Sequence, residues 1–245
     1  MKVLGIDIGG SSVKGAPVDT RTGRLLEERR RIAMPERLTP AGVGRVAAEL
    51  AASFGWRGPI GIGFPGVVRG RRTHTAANLH PRFVGLDAGH LFAEATGCRV
   101  AVINDADAAG LAEMRFGAGR KCAGTVLLIT LGTGVGSALF CGGMLYPNTE
   151  FGHLPIRGRS AERYISTAAR KRRRLTWARW GRELGGYLRA LEALVWPDLI
   201  ILGGGASTKM DKFVRQVRCR ARIVPAAAFN EAGIVGAALW AAEQP

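Results

Sequence analysis

Twice in this chain an apolar strand runs into a turn of glycines and hydroxyls, then out into a second apolar stretch. The first copy is "VLGIDIGGSSVKG", residues 3–15, and the second is "VLLITLGTGVGSALF", residues 126–140. Glycine lets backbone N–H groups approach a ligand, hydroxyls add donors, and Lys14 adds a positive charge. Together these outline a phosphate cradle. The first turn is neither the G-x-G-x-x-G of a dinucleotide fold nor a Walker loop, and taken alone it reads equally well as a tight hairpin. A third glycine cluster, "PDLIILGGGAS", follows another apolar strand at residues 197–207. One such unit in each half predicts duplicated domains facing each other across a cleft.

The segments between these turns alternate strand and helix, which sets the class as α/β. Residues 1–33 read as a β-meander with a hairpin turn at Thr20–Gly23. Residues 39–55 read as an amphipathic helix with Thr39 as N-cap and Pro40 in the first helical position. Strands are expected at Ile60–Phe64 and Val100–Ile103, and helices over 87–97, 106–115, 160–170, 176–195 and 231–243. The expected division is a first domain of residues 1–104, completed by the C-terminal helix 231–245, and a second of residues 105–230.

Length and composition admit two small domains: 245 residues, 47% hydrophobic. No apolar run approaches the length of a membrane span. The chain enters a strand at residue 3, so neither a secretory leader nor a preceding winged helix is expected. Cys98, Cys122, Cys141 and Cys219 are scattered without a C-x-x-C pair, which fits reduced thiols in a cytoplasm. The formal charge of +16 points either to an Arg-rich composition without function or to a polyanionic partner. Its densest run, Arg170-Lys171-Arg172-Arg173-Arg174, is expected between helices. Trp177 and Trp180 follow it at helical spacing and read as a buried helix face rather than a nucleic-acid platform.

"GIDIGGSSVKG", "GFPGVV", "TAANL", "INDADAAGLAE", "TLGTGVGSALF", "NTEFGHL" and "LGGG" occur in that order along nearly the whole chain. In that set the chain resembles the ROK-family sugar kinases of the actin/hexokinase superfamily, and within them the polyphosphate-using glucokinases and glucomannokinases. The resemblance implies a two-domain actin-like α/β fold with a ligand cleft between the domains. It implies phosphoryl transfer from inorganic polyphosphate and ATP, with Mg²⁺, to the 6-hydroxyl of glucose, with mannose a second acceptor to test. An ATP-only ROK kinase for another hexose or an amino sugar is the alternative. A homodimer, no membrane and no specific nucleic acid are expected as partners.

Residue by residue, the resemblance makes Asp105 the catalytic base and puts Asn104, Gly66, Asn78, Glu150, His153 and Glu162 on the sugar. Gly9, Gly10, Ser11, Ser12 and Lys14 match the first phosphate loop, and Gly132, Thr133 and Gly134 the second. Gly203, Gly204 and Gly205 match the adenosine-side turn, and Asp7 the ligand to Mg²⁺, directly or through water. Two departures stand out. Residues 154–174 hold no cysteine, so the structural zinc of many ROK kinases is not expected, and His80 stands where an acid is expected in this branch.

The chemistry suits these residue types. A loose phosphoryl-transfer transition state asks for in-line positioning, neutralised phosphate oxygens and an acceptor for the hydroxyl proton. A carboxylate suffices because that proton becomes acidic late in the transfer. Asp107 is the rival base, but it falls inside the following helix, where an acid near the N-terminus is a common structural feature. His153 alone would read as structural; with Glu150 three residues earlier it forms a donor–acceptor pair suited to sugar hydroxyls. The run Arg170 to Arg174 is a candidate track for the tail of a polyphosphate donor.

Overall fold

The computed structural model describes residues 1–76, 79–227 and 231–244. It falls into two units, Met1–Ala112 with Glu231–Pro245, and Glu113–Asn230.

In the first unit the opening residues form a hairpin, β1 (Lys2–Ile8) against β2 (Ser12–Asp19), with Asp7 opposite Lys14. Two short strands, β3 (Arg24–Leu25) and β4 (Arg30–Ala33), both pair with β2. Helix α1 (Pro40–Ser53) starts where the sequence signals, with the Thr39 hydroxyl accepting from the amide of Gly42. Parallel pairing then extends the sheet from β1 to β5 (Ile60–Phe64), followed by the small ladder β6 (Val68–Arg69) and β7 (Arg72–Thr73). Helix α2 (Ala88–Thr96) runs from an Asp87 cap to left-handed Gly97. It leads into β8 (Val100–Asn104), which pairs with β5, and then into α3 (Asp105–Arg115). Val43, Leu50, Phe83 and Phe92 share one buried core with Leu4, Ile6 and Ile62.

The second unit opens with β9 (Thr125–Leu131), β10 (Val135–Cys141) and β11 (Met144–Tyr146), which form an antiparallel meander. Next come the ladder β12 (Pro155–Ile156) and β13 (Arg159–Ser160) and the helices α4 (Glu162–Ile165), α5 (Thr167–Arg172) and α6 (Trp177–Val195). Strand β14 (Leu199–Gly203) adds in parallel to β9, and β15 (Arg222–Pro225) adds in parallel to β14. The core beneath this sheet is aromatic. Trp180 is fully buried and meets Phe213 edge-on at 4.8 Å, while Trp177 stacks on the same ring at 5.8 Å. Both tryptophans therefore bury the helix face, as the spacing predicts.

The chain then returns to the first unit as α7 (Ala232–Glu243), lying directly on the strands. The approach is so close that a methyl group on Gly61 would fall 1.8 Å from the carbonyl oxygen of Ala237.

Two expectations need correction. The helix expected over 160–170 is two short helices, because Ser166 is extended and its hydroxyl caps α5 through the amide of Ala169. The basic run does not lie wholly between helices: Arg170, Lys171 and Arg172 finish α5, and of the run only Arg173 and Arg174 fall in the link to α6. The expected domain boundary after Asn104 and the end of the first unit at Ala112 both fall at α3, which spans the division. A methyl on Gly236 of α7 would collide with the carbonyl of Ala108.

Candidate functional site

The first glycine turn is the tight turn of a hairpin. It closes the β1–β2 hairpin, with the amide of Gly9 donating to the carbonyl of Ser12 at 3.0 Å, and it leaves Gly10 and Ser11 exposed. Ser12 is 2% exposed, so Ser11 carries the accessible hydroxyl. Asp7 sits at the base of this turn. Burial raises its carboxyl above the ordinary value, while Lys14 and Arg29 pull it back down.

Asn104 ends β8 and starts α3. Its side-chain oxygen accepts from the amides of Ala106 and Asp107, at 2.9 and 3.0 Å, and its nitrogen donates to the carbonyl of Gly66 at 3.1 Å. Asn104 thus caps a helix and joins it to the "FPG" loop, which accounts for its being 5% exposed. Asp105 comes next and stays half-exposed, whereas Asp107 is 1% exposed. Of the two acids, only Asp105 is open to a ligand in this conformation. Asn78 lies outside the described residues.

In the second unit the remaining candidates converge. The Gly132–Gly134 turn links β9 to β10, with Thr133 at its exposed tip. The Gly203–Gly205 turn lies against it: Gly204 has a φ of +73°, and a methyl there would meet the carbonyl oxygen of Leu131 at 2.7 Å. Glu162 reaches the same place, since a methyl on Gly134 would lie 2.7 Å from its Oε2. Glu150 and His153 face each other with Oε2 and Nε2 3.5 Å apart. Burial raises the Glu150 carboxyl above its ordinary value, against the pull of His153 and with a push from Glu162. Three sugar-side candidates and two glycine turns therefore share one neighbourhood within this unit.

What holds the neighbourhood was not among the candidates. Ser137 of β10 donates to the carbonyl of Thr149 at 2.7 Å and accepts from the amide of Phe151 at 3.0 Å, bracketing Glu150. Ser160 donates to the carbonyl of Gly152 and lies 3.3 Å from Nδ1 of His153. The Thr167 hydroxyl donates at 2.9 Å to the carbonyls of both Leu131 and Gly132, fixing the second turn. A polar residue at an inward strand position was the available signal for Ser137, which is 1% exposed.

The basic run divides by packing. The Arg170 guanidinium lies over the Trp177 ring at 3.9 Å and donates to the carbonyl of Leu175. Arg173 clamps Glu183 through two bonds, 2.6 and 2.9 Å, and reaches the carbonyl of Tyr164. Lys171, Arg172 and Arg174 are exposed, but Arg172 donates to the carbonyl of Arg163 at 3.1 Å. The run therefore offers a partner chiefly Lys171 and Arg174 rather than five free cations.

Residues 3–171 match the ROK family. The chain is 46% identical over 237 residues to a polyphosphate glucokinase of Mycobacterium tuberculosis, covering 96% of this chain and 89% of that protein. It is 43% identical to the polyphosphate glucokinase of Mycobacterium leprae, covering 96% and 73%. Among solved structures it superposes on an inorganic polyphosphate/ATP-glucomannokinase from Arthrobacter sp. strain KM with a TM-score of 0.96 at 45% identity, covering 100% and 99% of the two chains. It also superposes on a ROK family glucokinase from Streptomyces griseus, in complex with glucose and AMPPNP, with a TM-score of 0.86 at 25% identity and full coverage of both. The two α/β units have the actin-like two-domain fold of these sugar kinases. The chain belongs to the ROK family.

Proposed function

We propose that the chain transfers the terminal phosphoryl group of inorganic polyphosphate, and of ATP, to the 6-hydroxyl of glucose. The phosphotransferase reading rests on 46% identity to polyphosphate glucokinases across 96% of the chain. The observation that carries it at the level of the site is the grouping of Glu150, His153 and Glu162 beside the Gly132–Gly134 turn: hydroxyl ligands next to a phosphate turn.

In this reading Glu150, His153 and Glu162 hold sugar hydroxyls, together with Asn78, Asn104 and the Gly66 loop. Asp105 accepts the proton of the attacking hydroxyl. Gly9 to Ser12 with Lys14, and Gly132 to Gly134, take the donor's terminal phosphates on backbone amides and hydroxyls. The turn Gly203 to Gly205 serves the adenosine of ATP. Lys171 and Arg174 remain available to a polyanion, while Arg172 is bonded to the carbonyl of Arg163.

Asp7 fits a Mg²⁺ that is held mainly by phosphates and water, because such an ion needs only one or two carboxylates from the protein. Its carboxyl is partly enclosed, with cations around it, and among the described residues no cluster of three or more His, Cys, Asp or Glu could hold a metal alone. Asp7 would hold the ion, which would supply charge neutralisation on the phosphate oxygens.

Mannose as a second acceptor is supported by the glucomannokinase likeness. A cytoplasmic setting fits four free cysteines and, among the described residues, no helix long and apolar enough to cross a membrane. A homodimer has a candidate surface in exposed Met144 and Tyr146 on β11, at the edge of its sheet. Initial rates with both donors across a panel of hexoses test the reading. Polyphosphate-driven phosphorylation of glucose upholds it, and turnover with ATP alone overturns the donor assignment.

A further inference from the structure

Resting on the donor reading above, we infer that the polyphosphate chain beyond its reacting end runs across the strands of the first unit, over Lys14 and Arg31. The observation is a row of register positions. Asp7 of β1 stands opposite Lys14 of β2, and Lys14 stands opposite Arg31 of β4. Residues directly opposite on antiparallel strands share one face of the sheet, so all three side chains do. Arg30, one residue along, goes to the other face, where its guanidinium covers the Phe54 ring at 4.0 Å. Arg29 returns to the side of Asp7 and acts on its charge.

Two cations directly opposite each other destabilise a sheet. A chain with 35 Lys and Arg has no shortage of positive charge elsewhere, and this pair adjoins the first glycine turn. Among the described residues neither Lys14 nor Arg31 makes a salt bridge, and Arg31 is exposed. A polyanion lying along the row would turn that repulsion into attraction. From Asp7 to Arg31 is two strand spacings, roughly 10 Å, enough for a chain of linked phosphates. Arg170 and Arg173 of the run that ends α5 are held by Trp177 and Glu183, whereas among the described residues no ring or carboxylate engages Arg31. The row is therefore the better-prepared polyanion surface.

The test compares the parent with Arg31→Glu, with Arg29→Glu/Arg31→Glu, and with Lys171→Glu/Arg172→Glu/Arg174→Glu, using long polyphosphate and ATP at saturating glucose. The ratio of kcat/KM for polyphosphate to that for ATP should fall about tenfold in Arg31→Glu and further in the double variant. Its salt slope should flatten by about one. The triple variant should move the ratio less than Arg31→Glu does. Thermal unfolding should show Arg31→Glu as stable as the parent or more so, because Lys14 gains an opposite charge.

An unchanged ratio in Arg31→Glu, or a larger fall in the triple variant, overturns the inference. Anisotropy of labelled polyphosphate without sugar separates this from the donor reading. A parent that binds the chain through Arg31 but does not turn it over keeps the row and loses the donor assignment. Equal binding with and without Arg31 rejects the row.

Discussion

In the first unit, Asn104 sets the start of α3 through the amides of Ala106 and Asp107, two and three residues away. In the second, Ser137 sets the turn around Glu150 through Thr149 and Phe151, twelve and fourteen residues away. Both side chains are buried, and both hold a candidate carboxylate in place. The first arrangement is chiefly local and forms with its helix. The second exists only once β10 and the following turn have come together. Unit one should therefore lose chemistry when its acid is removed and keep its fold, while unit two should lose geometry when its anchor is removed.

The largest effect tests the first half of that contrast. Asp105→Ala should lower turnover by roughly 10²–10⁴ with either donor, the usual scale for a lost general base, and leave the melting temperature close to the parent's. Asp107→Ala should do the reverse, lowering the melting temperature more than turnover, because Asp107 is closed to solvent. Initial rates and thermal melts on both variants decide it. Near-normal turnover in a folded Asp105→Ala protein would remove Asp105 as the base.

Next in size is Glu150. Glu150→Ala should weaken sugar binding by about 1–3 kcal/mol, roughly fivefold to a hundredfold in the KM for glucose, with little change for the donor. Its pH behaviour has a definite sign. Burial raises the folded carboxyl above the ordinary value, so it takes up a proton at higher pH than a free glutamate would. The glucose KM should therefore climb early as pH falls. The same shift means that the native state binds this proton more tightly than the unfolded chain. Glu150's contribution to stability thus falls as pH rises from the ordinary carboxylate value to the raised one. A glucose KM that stays flat through that window would move sugar recognition away from Glu150.

The same local-versus-distant contrast governs what the sequence could reveal. Thr39 as N-cap, Pro40 behind it, the strand Ile60–Phe64 and the glycine turns all depend on neighbours in the chain, and all stand where the pattern put them. The kink at Ser166 was missed because serine fits a short helical pattern as readily as a cap, and the choice is made by packing. Ser137, Ser160 and Thr167 were missed because hydroxyls are common and their partners, the Thr149, Gly152 and Gly132 carbonyls, adjoin them only in the fold. Likewise, the five letters of the basic run cannot reveal that two of its arginines are engaged by Trp177 and Glu183.

Ser137 gives the third prediction. Ser137→Ala strips the carbonyl of Thr149 and the amide of Phe151 of a buried partner, which should cost about 1–3 kcal/mol of stability. The glucose KM should rise with it, since the turn carrying Glu150 and His153 is no longer pinned. Denaturant unfolding and glucose kinetics on one preparation check both. A raised KM at unchanged stability would mean that Ser137 meets the sugar itself.

The smallest expected effect lies within the basic run. Arg173 and Glu183 form a bidentate pair, partly exposed at 28% and 16% of their side chains. Arg173→Ala should cost about 0.2–1 kcal/mol, the range for such pairs, whereas Lys171→Ala should stay within about 0.5 kcal/mol of the parent. The pair also carries a pH signature opposite to that of Glu150. Its hydrogen bonds to Arg173 hold the Glu183 carboxyl below the ordinary value. Its contribution is therefore present above that ordinary value and disappears as pH falls through the lowered one. Denaturant midpoints measured from neutral to acid pH should show the gap between the parent and Arg173→Ala closing at the acid end. A gap of equal size at every pH would mean that Arg173 stabilises the unit through its contacts with the carbonyl and ring of Tyr164 rather than through Glu183.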